Sequence, residues 1–285
     1  MINGNKKGIK KIITGIIIFA LVALFVIIVP LFGNIKSTDY FLTEDGTSRL
    51  VYGSPSAEHF FGTDAHGRDI FFRLAWGGRA TLLFTFSVVA AEFIIGCLIG
   101  AWAGFSGGIA DRILMRIADI FNCIPFLPLL MVTAGILDKL SPSDFQRVVI
   151  LCFIYGIFGW TGFARLIRGE ILNVKSKEFV SAAKASGISG CRIVFRHILP
   201  VIFPQLAALI PFNFASVMLT ESALGFLGLG IRYPSPSWGN MLDGMRNLFV
   251  IQNYPFAYLP AAALIFSTAC AFWLIGEGAK DKLNG

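Results

Sequence analysis

Residues 80–103 read ATLLFTFSVVAAEFIIGCLIGAWA, a run of 24 residues with one charge, Glu92. Wound as a helix at 1.5 Å per residue it reaches about 36 Å, enough to cross a hydrocarbon core of about 30 Å. Comparable apolar runs recur near 12–32, 113–137, 148–167, 198–225 and 257–276. Over the 285 residues, 55% are hydrophobic and 14% charged, against roughly a quarter charged in soluble domains, and the mean hydropathy is +0.72. The expectation is an all-α polytopic membrane protein of six transmembrane helices, with little chain left for a soluble domain.

The first run follows Lys6, Lys7, Lys10 and Lys11, an arrangement shared with secretory signal peptides. It is of full span length, however, and leaves through Pro30-Leu31-Phe32-Gly33 without a small-x-small cleavage site, so it reads as a retained helix. The net charge of +7 can be assigned to topology before nucleic acid is considered. With the N-terminus inside, fifteen Lys/Arg fall on inner segments. Nine fall outside, five of them in one long loop that also holds six acids. This positive-inside bias orients the chain with both termini cytoplasmic and leaves no argument for a nucleic-acid partner. Cys97, Cys123, Cys152, Cys191 and Cys270 form no CxxC pair and mostly lie inside apolar runs, as small buried hydrophobes do.

The segment 33–79 is the sizeable extramembrane stretch, with turn formers at Asp45-Gly46 and Gly53-Ser54-Pro55. Ile70, Phe71, Leu74 and Ala75 after Gly67 predict a short helix along the outer surface. A tight turn, Gly104-Phe105-Ser106-Gly107-Gly108, joins the second and third spans. Pro125 and Pro128 in the third span predict a kink or break, and such breaks are tolerated where protein or a cavity faces the backbone. The fifth span carries Pro200, Pro204 and Pro211. After it, Trp238, Met241, Leu242, Met245, Leu248 and Phe249 share a helical face, which reads as a second outer amphipathic helix or, alternatively, an irregular loop.

Between the fourth and fifth spans lies the polar stretch 168–196. Within it, Glu178-Phe179-Val180-Ser181-Ala182-Ala183-Lys184-Ala185-Ser186-Gly187 describes a short helix. Phe179, Ala182 and Ala183 are placed on one face, the alanines allow close backbone approach, and Gly187 suits a left-handed terminating residue. Two readings stand: a helix made to enter a groove on a cytoplasmic partner, or an ordinary interfacial helix.

The stretch resembles the EAA loop of binding-protein-dependent ABC importers, with Ala182, Ala183, Gly187, Leu199 and Pro200 at matching positions. Ser181 stands where that pattern has glutamate and His197 where it has isoleucine. The resemblance extends to the second permease subunit of dipeptide, oligopeptide and nickel importers. Residues 62–69 are similar to its GTDxxGRD signature, and residues 195–200, 221–230 and 236–242 to further blocks in the same order. The resemblance implies a type I ABC importer permease fold: tail and first helix at 1–33, an extracytoplasmic loop at 34–79, a five-helix core at 80–276 with an inner coupling helix at about 176–188, and a cytoplasmic tail at 277–285. It implies ATPase coupling through Glu178, Phe179, Ala182, Ala183, Lys184 and Gly187. It also implies a second homologous permease, two cytoplasmic ATPase subunits and an extracytoplasmic substrate-binding protein in a bacterial cell membrane. No Gly-x-x-x-x-Gly-Lys-Ser/Thr loop occurs here, so ATP and magnesium are expected in the partner ATPases and no cofactor in this chain. The cargo expected is a peptide.

Other motifs have simpler readings. Gly104–Gly108 fits GxSxG and, in part, the GxSG of rhomboid proteases, but a serine nucleophile needs a positioned base. His59, His66 and His197 all lie outside the spans, leaving Ser106 without one. His59, Asp64, His66 and Asp69 suggest a metal cluster, yet two histidines seven apart in a loop fit a structural loop better. Glu92 and Glu221 are acids in or near apolar spans, where a carboxylate needs a partner, water or a cavity. Glu221 is expected to face a partner permease near an outer gate, in either a pathway or a structural role. Phe226, Trp238, Met241, Pro125 and Pro128 complete the gate or pathway candidates. An ion-coupled secondary transporter also has broken helices and buried acids, but it would normally show inverted repeats, and no convincing internal repeat is present.

Overall fold

The computed structural model describes residues 2–32, 40–42, 48–232 and 235–284. Among them, five helices are long and apolar enough to cross a membrane: α1 (Ile2–Phe32), α2 (Ile70–Ser106), α5 (Asp144–Lys175), α8 (Leu199–Phe226, with its lead-in from Gly190) and α10 (Leu259–Asn284). A sixth span is the pair α3 (Gly108–Cys123) and α4 (Phe126–Leu140), bent by 70° at the break between them. The Asp45-Gly46 turn lies outside the described residues.

The second span begins at Ile70, ten residues before the long apolar run, so the expected surface helix at 70–75 is instead the first turns of α2. The carboxylate of Asp69 caps the start by accepting from the amide of Phe72 at 3.1 Å. Gly77 and Gly78 would weaken a free helix, but here they are needed. A Cβ at Gly77 would stand 3.2 Å from the backbone carbon of Ser237, and one at Gly78 2.8 Å from the Trp238 ring. Close packing outweighs the local propensity.

The third span breaks at Ile124-Pro125 alone. Pro125 caps α4 in an extended conformation, and Pro128 falls in the first turn, where its missing N–H has no intrahelical partner to lose. In the fifth span, α7 (Gly190–Ile193) passes through a π turn, Val194–Ile198, into α8, so the amide of Leu199 reaches back to the carbonyl of Val194. The wider turn precedes Pro200 and gives its ring room against the preceding carbonyls. A capping box starts α5: Gln146 donates its amide to the Ser143 hydroxyl at 3.3 Å, and Ser143 returns its own to Gln146 Oε1 at 3.0 Å.

The expected outer amphipathic helix is absent as such. Residues 240–246 form a 3-10 turn and Leu248–Asn253 a short helix, α9. Trp238 and Met241 are buried, while Met245, Leu248 and Phe249 are exposed, so they share no common face. Asn240 causes the departure: it exchanges hydrogen bonds with Ser237 at 3.0 and 3.1 Å and donates Nδ2 to the carbonyls of Ile231 and Ser235. Those bonds coil the chain into a turn.

Packing centres on α2. A stripe of Gly96, Gly100 and Gly104 seats it on α5, where added Cβ atoms would lie 2.5 to 3.0 Å from Phe163, Ala164 and Ile171. One buried cluster joins Leu74, Val88, Tyr155, Phe214, Met218 and Trp238, and a second joins Ile167, Ile171, Val180, Ala183, Ile193 and Ile198 near the 176–189 segment. Leu83, Trp102, Phe153 and Phe266 point outward among many exposed apolar side chains, the surface expected of a chain solvated by lipid.

Candidate functional site

The polar stretch after α5 folds into α6 (Glu178–Ala185). Its end is closed by Ser186 donating to the carbonyl of Ala182, Gly187 to Lys184 and Ile188 to Ala183, at 3.0 to 3.2 Å. Gly187 has φ +73° with open space around it, so it is required for conformation rather than fit. Val180 and Ala183 turn into the chain's own core, whereas Glu178, Phe179, Ala182 and Lys184 are exposed. Ala183 therefore does not share the outward face with Phe179 and Ala182. The helix stands on Val180 and Ala183 and presents Phe179 and Ala182 outward.

Near α6, two ammonium groups approach the ring of Phe105, Lys184 Nζ at 5.3 Å and Lys175 Nζ at 5.5 Å from its centre. Lys175 also donates to the carbonyls of Phe105 and Gly104 at the end of α2, where the helix dipole favours a cation. Asp111 on α3 takes two bonds from Arg168 on α5, which ties the broken span to the same region.

At the opposite end of α2, residues 48–69 form a knot of hydrogen bonds. Asp64 accepts from the amides of His66 and Arg68 at 2.7 and 3.1 Å and from Arg68 Nε at 2.9 Å, and pairs with Arg73 at 3.3 Å. Asp69 both caps α2 and meets His59 Nδ1 at 2.9 Å. Gly62 and Gly67, both at φ +75°, permit the turns. Burial, reinforced by Arg68, pushes the His66 imidazole below its ordinary value. Among the described residues, no three His, Cys, Asp or Glu side chains converge as a metal site would require.

Beside this knot, the segment 235–241 is pressed onto α2 and α8. The Trp238 amide donates to Thr81 Oγ1 at 3.1 Å and its indole N–H to the carbonyl of Leu74 at 2.9 Å. A Cβ on Gly225 of α8 would lie 2.8 Å from the Gly239 Cα, so the two backbones touch. Glu221, 3% exposed, places its carboxyl near the hydroxyls of Thr81, Ser222 and Ser237, but neither oxygen is within hydrogen-bond distance of a partner.

A family model described as "Binding-protein-dependent transport system inner membrane component" matches residues 96–276, which hold α6, the π turn, α8 and the 235–241 segment. The chain belongs to this family. Among its relatives is the dipeptide transport system permease protein DppC of Alkalihalophilus pseudofirmus, 36% identical over 96% of this chain and 86% of that protein. Others are the oligopeptide transport system permease protein OppC of Haemophilus influenzae, 32% identical over 96% and 84%, and the probable D,D-dipeptide transport system permease protein DdpC of Escherichia coli, 36% identical over 98% and 88%. It is a multi-pass membrane permease subunit.

Within the permease, the gate candidates divide. Glu221, Trp238 and Met241 come together but are buried inside the subunit, so Glu221 does not face outward toward a second permease as expected. Phe226 is half-buried at the end of α8, and Pro125 and Pro128 are exposed at the break. Glu92, 4% exposed, accepts from Asn213 Nδ2 at 2.6 Å, and its carboxyl fills the space that a side chain at position 159 would need. Sequence reasoning missed Asn213 and Thr81, isolated polar residues without a motif, and gave no role to Phe105 in the Gly104–Gly108 turn or to Asn240 in the 236–242 block. It also missed Arg147, buried on α5. Arg147 holds Asp138 of α4 at 2.8 Å and the carbonyl of Gly230 at 2.9 Å, joining the broken span to the chain after α8.

Proposed function

We propose that this permease forms part of the translocation path of an ATP-driven peptide importer in a bacterial cell membrane. It works beside a second, related permease and above two cytoplasmic ATPase subunits that hold ATP and magnesium, and it receives cargo from an extracytoplasmic binding protein. The observation that carries the reading is α6, an eight-residue helix standing on Val180 and Ala183 with Phe179 and Ala182 presented outward. A short helix with one small-residue face outward suits insertion into a groove on a partner. The peptide cargo is supported by the names of the relatives, which are dipeptide and oligopeptide permeases. Both termini are assigned to the cytoplasm by the lysines and arginines on the same side as α6.

In this reading, ATP-driven closure of the ATPases displaces α6, and the two permeases rock between inward-open and outward-open states. Trp238, enclosed within the subunit beside the buried Glu221, holds the outer segment 235–241 in place, and neither residue touches cargo. The test is uptake of labelled peptide by proteoliposomes holding the complete complex. Uptake requiring ATP and the binding protein supports the reading; uptake driven by an ion gradient without the ATPases replaces it with a secondary transporter.

A further inference from the structure

We infer that Phe105 is the positioning residue through which movement of the 176–190 segment reaches α2. This rests on α6 being the ATPase-docking helix, and it names the contact that carries the motion onward. A Cβ on Gly190 would lie 2.5 Å from Phe105 Cε1, so the backbone just past α6 bears directly on the ring. Lys184, on α6 itself, places its ammonium 5.3 Å from the ring centre. Lys175, just before α6, brings its ammonium 5.5 Å from the ring centre and bonds the carbonyls of Gly104 and Phe105. Residues before, within and after α6 thus converge on one side chain in the last turn of α2.

The ring has room to respond. A cleft of roughly 280 Å³ lined by Leu98, Trp102, Cys191 and Phe195 opens beside it. What it moves is stiff: α2 is 37 residues without a proline, about 55 Å at 1.5 Å per residue. Along its lower half the Gly96, Gly100 and Gly104 stripe locks α2 to α5. At the far end, Leu74, Gly77, Gly78 and Thr81 hold Ser237 and Trp238 by backbone contact and two hydrogen bonds. A push on Phe105 is therefore delivered to the segment 235–241 by a single rod.

The experiment uses the whole reconstituted complex and reads labelled peptide transported per ATP hydrolysed. Phe105→Ala is expected to assemble and to hydrolyse ATP as the unaltered complex does, with the transport-to-hydrolysis ratio lowered about tenfold, while Phe105→Tyr, which keeps the aromatic face, restores the ratio. Phe105→Leu keeps apolar bulk without that face, shows the same lowered ratio, and serves where the alanine variant fails to assemble. An unchanged ratio in an assembled alanine or leucine variant overturns the inference, as does loss of assembly in both, which makes the residue structural. Phe179→Asp, on the outward face of α6, tests the underlying reading separately. If that variant still binds the ATPases and transports normally, the docking assignment fails whatever Phe105 does.

Discussion

The indole N–H of Trp238 donates to the carbonyl of Leu74 at 2.9 Å, joining a residue 164 positions later in the chain to the first turns of α2. A wholly buried tryptophan needs its polar atom satisfied, and the two glycines that follow Leu74 in α2 let the ring come close enough. This contact helps fix the segment 235–241 against the start of α2.

Trp238→Ala is therefore expected to lower stability by about 3–5 kcal/mol, the cost of an unfilled large cavity. Trp238→Phe, which loses the indole bond and part of the ring, should cost less. Gly78→Leu should resemble the alanine variant, because its Cβ alone would stand 2.8 Å from the ring. Thermal unfolding of the purified permease in detergent measures all three; equal stability of Trp238→Ala and the unaltered chain would show that the contact does not hold the segment.

Two glycines one turn apart on α5 should respond oppositely. At Gly159 a methyl group would overlap the carboxyl of Glu92, whereas at Gly162 nothing lies within 4 Å. Gly159→Ala is expected to destabilise by about 1–3 kcal/mol through overpacking, and Gly162→Ala to be neutral or to stabilise by up to about 1 kcal/mol through helix propensity. The same unfolding assay on the single chain decides it, and matching losses at both positions would contradict the packing described.

Glu221→Gln should leave assembly intact and transport within about twofold, because the buried carboxyl makes no ion pair that a neutral amide of the same shape would lose. Glu221→Lys, which adds a buried cation without a partner, is expected to abolish assembly. Transport and complex yield are measured together. A glutamine variant that assembles normally but no longer transports would return Glu221 to the pathway.

In α6, Gly187→Ala is expected to strain the left-handed turn by about 1–2 kcal/mol and to weaken ATPase binding, with Gly187→Asn milder. Ala183→Glu should damage the permease itself, since Ala183 is buried on the inner face of α6. Its effect belongs in the unfolding assay, while Phe179→Asp belongs in the docking assay. Equal ATPase retention by Phe179→Asp and the unaltered chain would show that the exposed face is not the docking face.

The membrane class, the spans and the break at Pro125 were legible because length, hydropathy and proline chemistry act locally. The left-handed Gly187 was legible for the same reason. The start of α2 was not. Gly77 and Gly78 make room for Ser237 and Trp238, far along the chain, a contact that no local pattern announces. The 237–249 face failed because a helical pattern was read where Asn240 accepts one hydrogen bond, donates three and coils the backbone. Ala183 was placed outward because a face drawn through Phe179 and Ala182 passes near it, and only the core of Val180, Ile193 and Ile198 turns it inward.

The most direct test of the account is uptake of labelled peptide into proteoliposomes carrying the complete complex, with unaltered permease and with Phe179→Asp. The account predicts uptake that needs ATP on the α6 side and the binding protein on the other, and that is lost in Phe179→Asp although the variant inserts normally. Uptake that persists without ATP under an ion gradient, or that is unaffected by the change at Phe179, would contradict it.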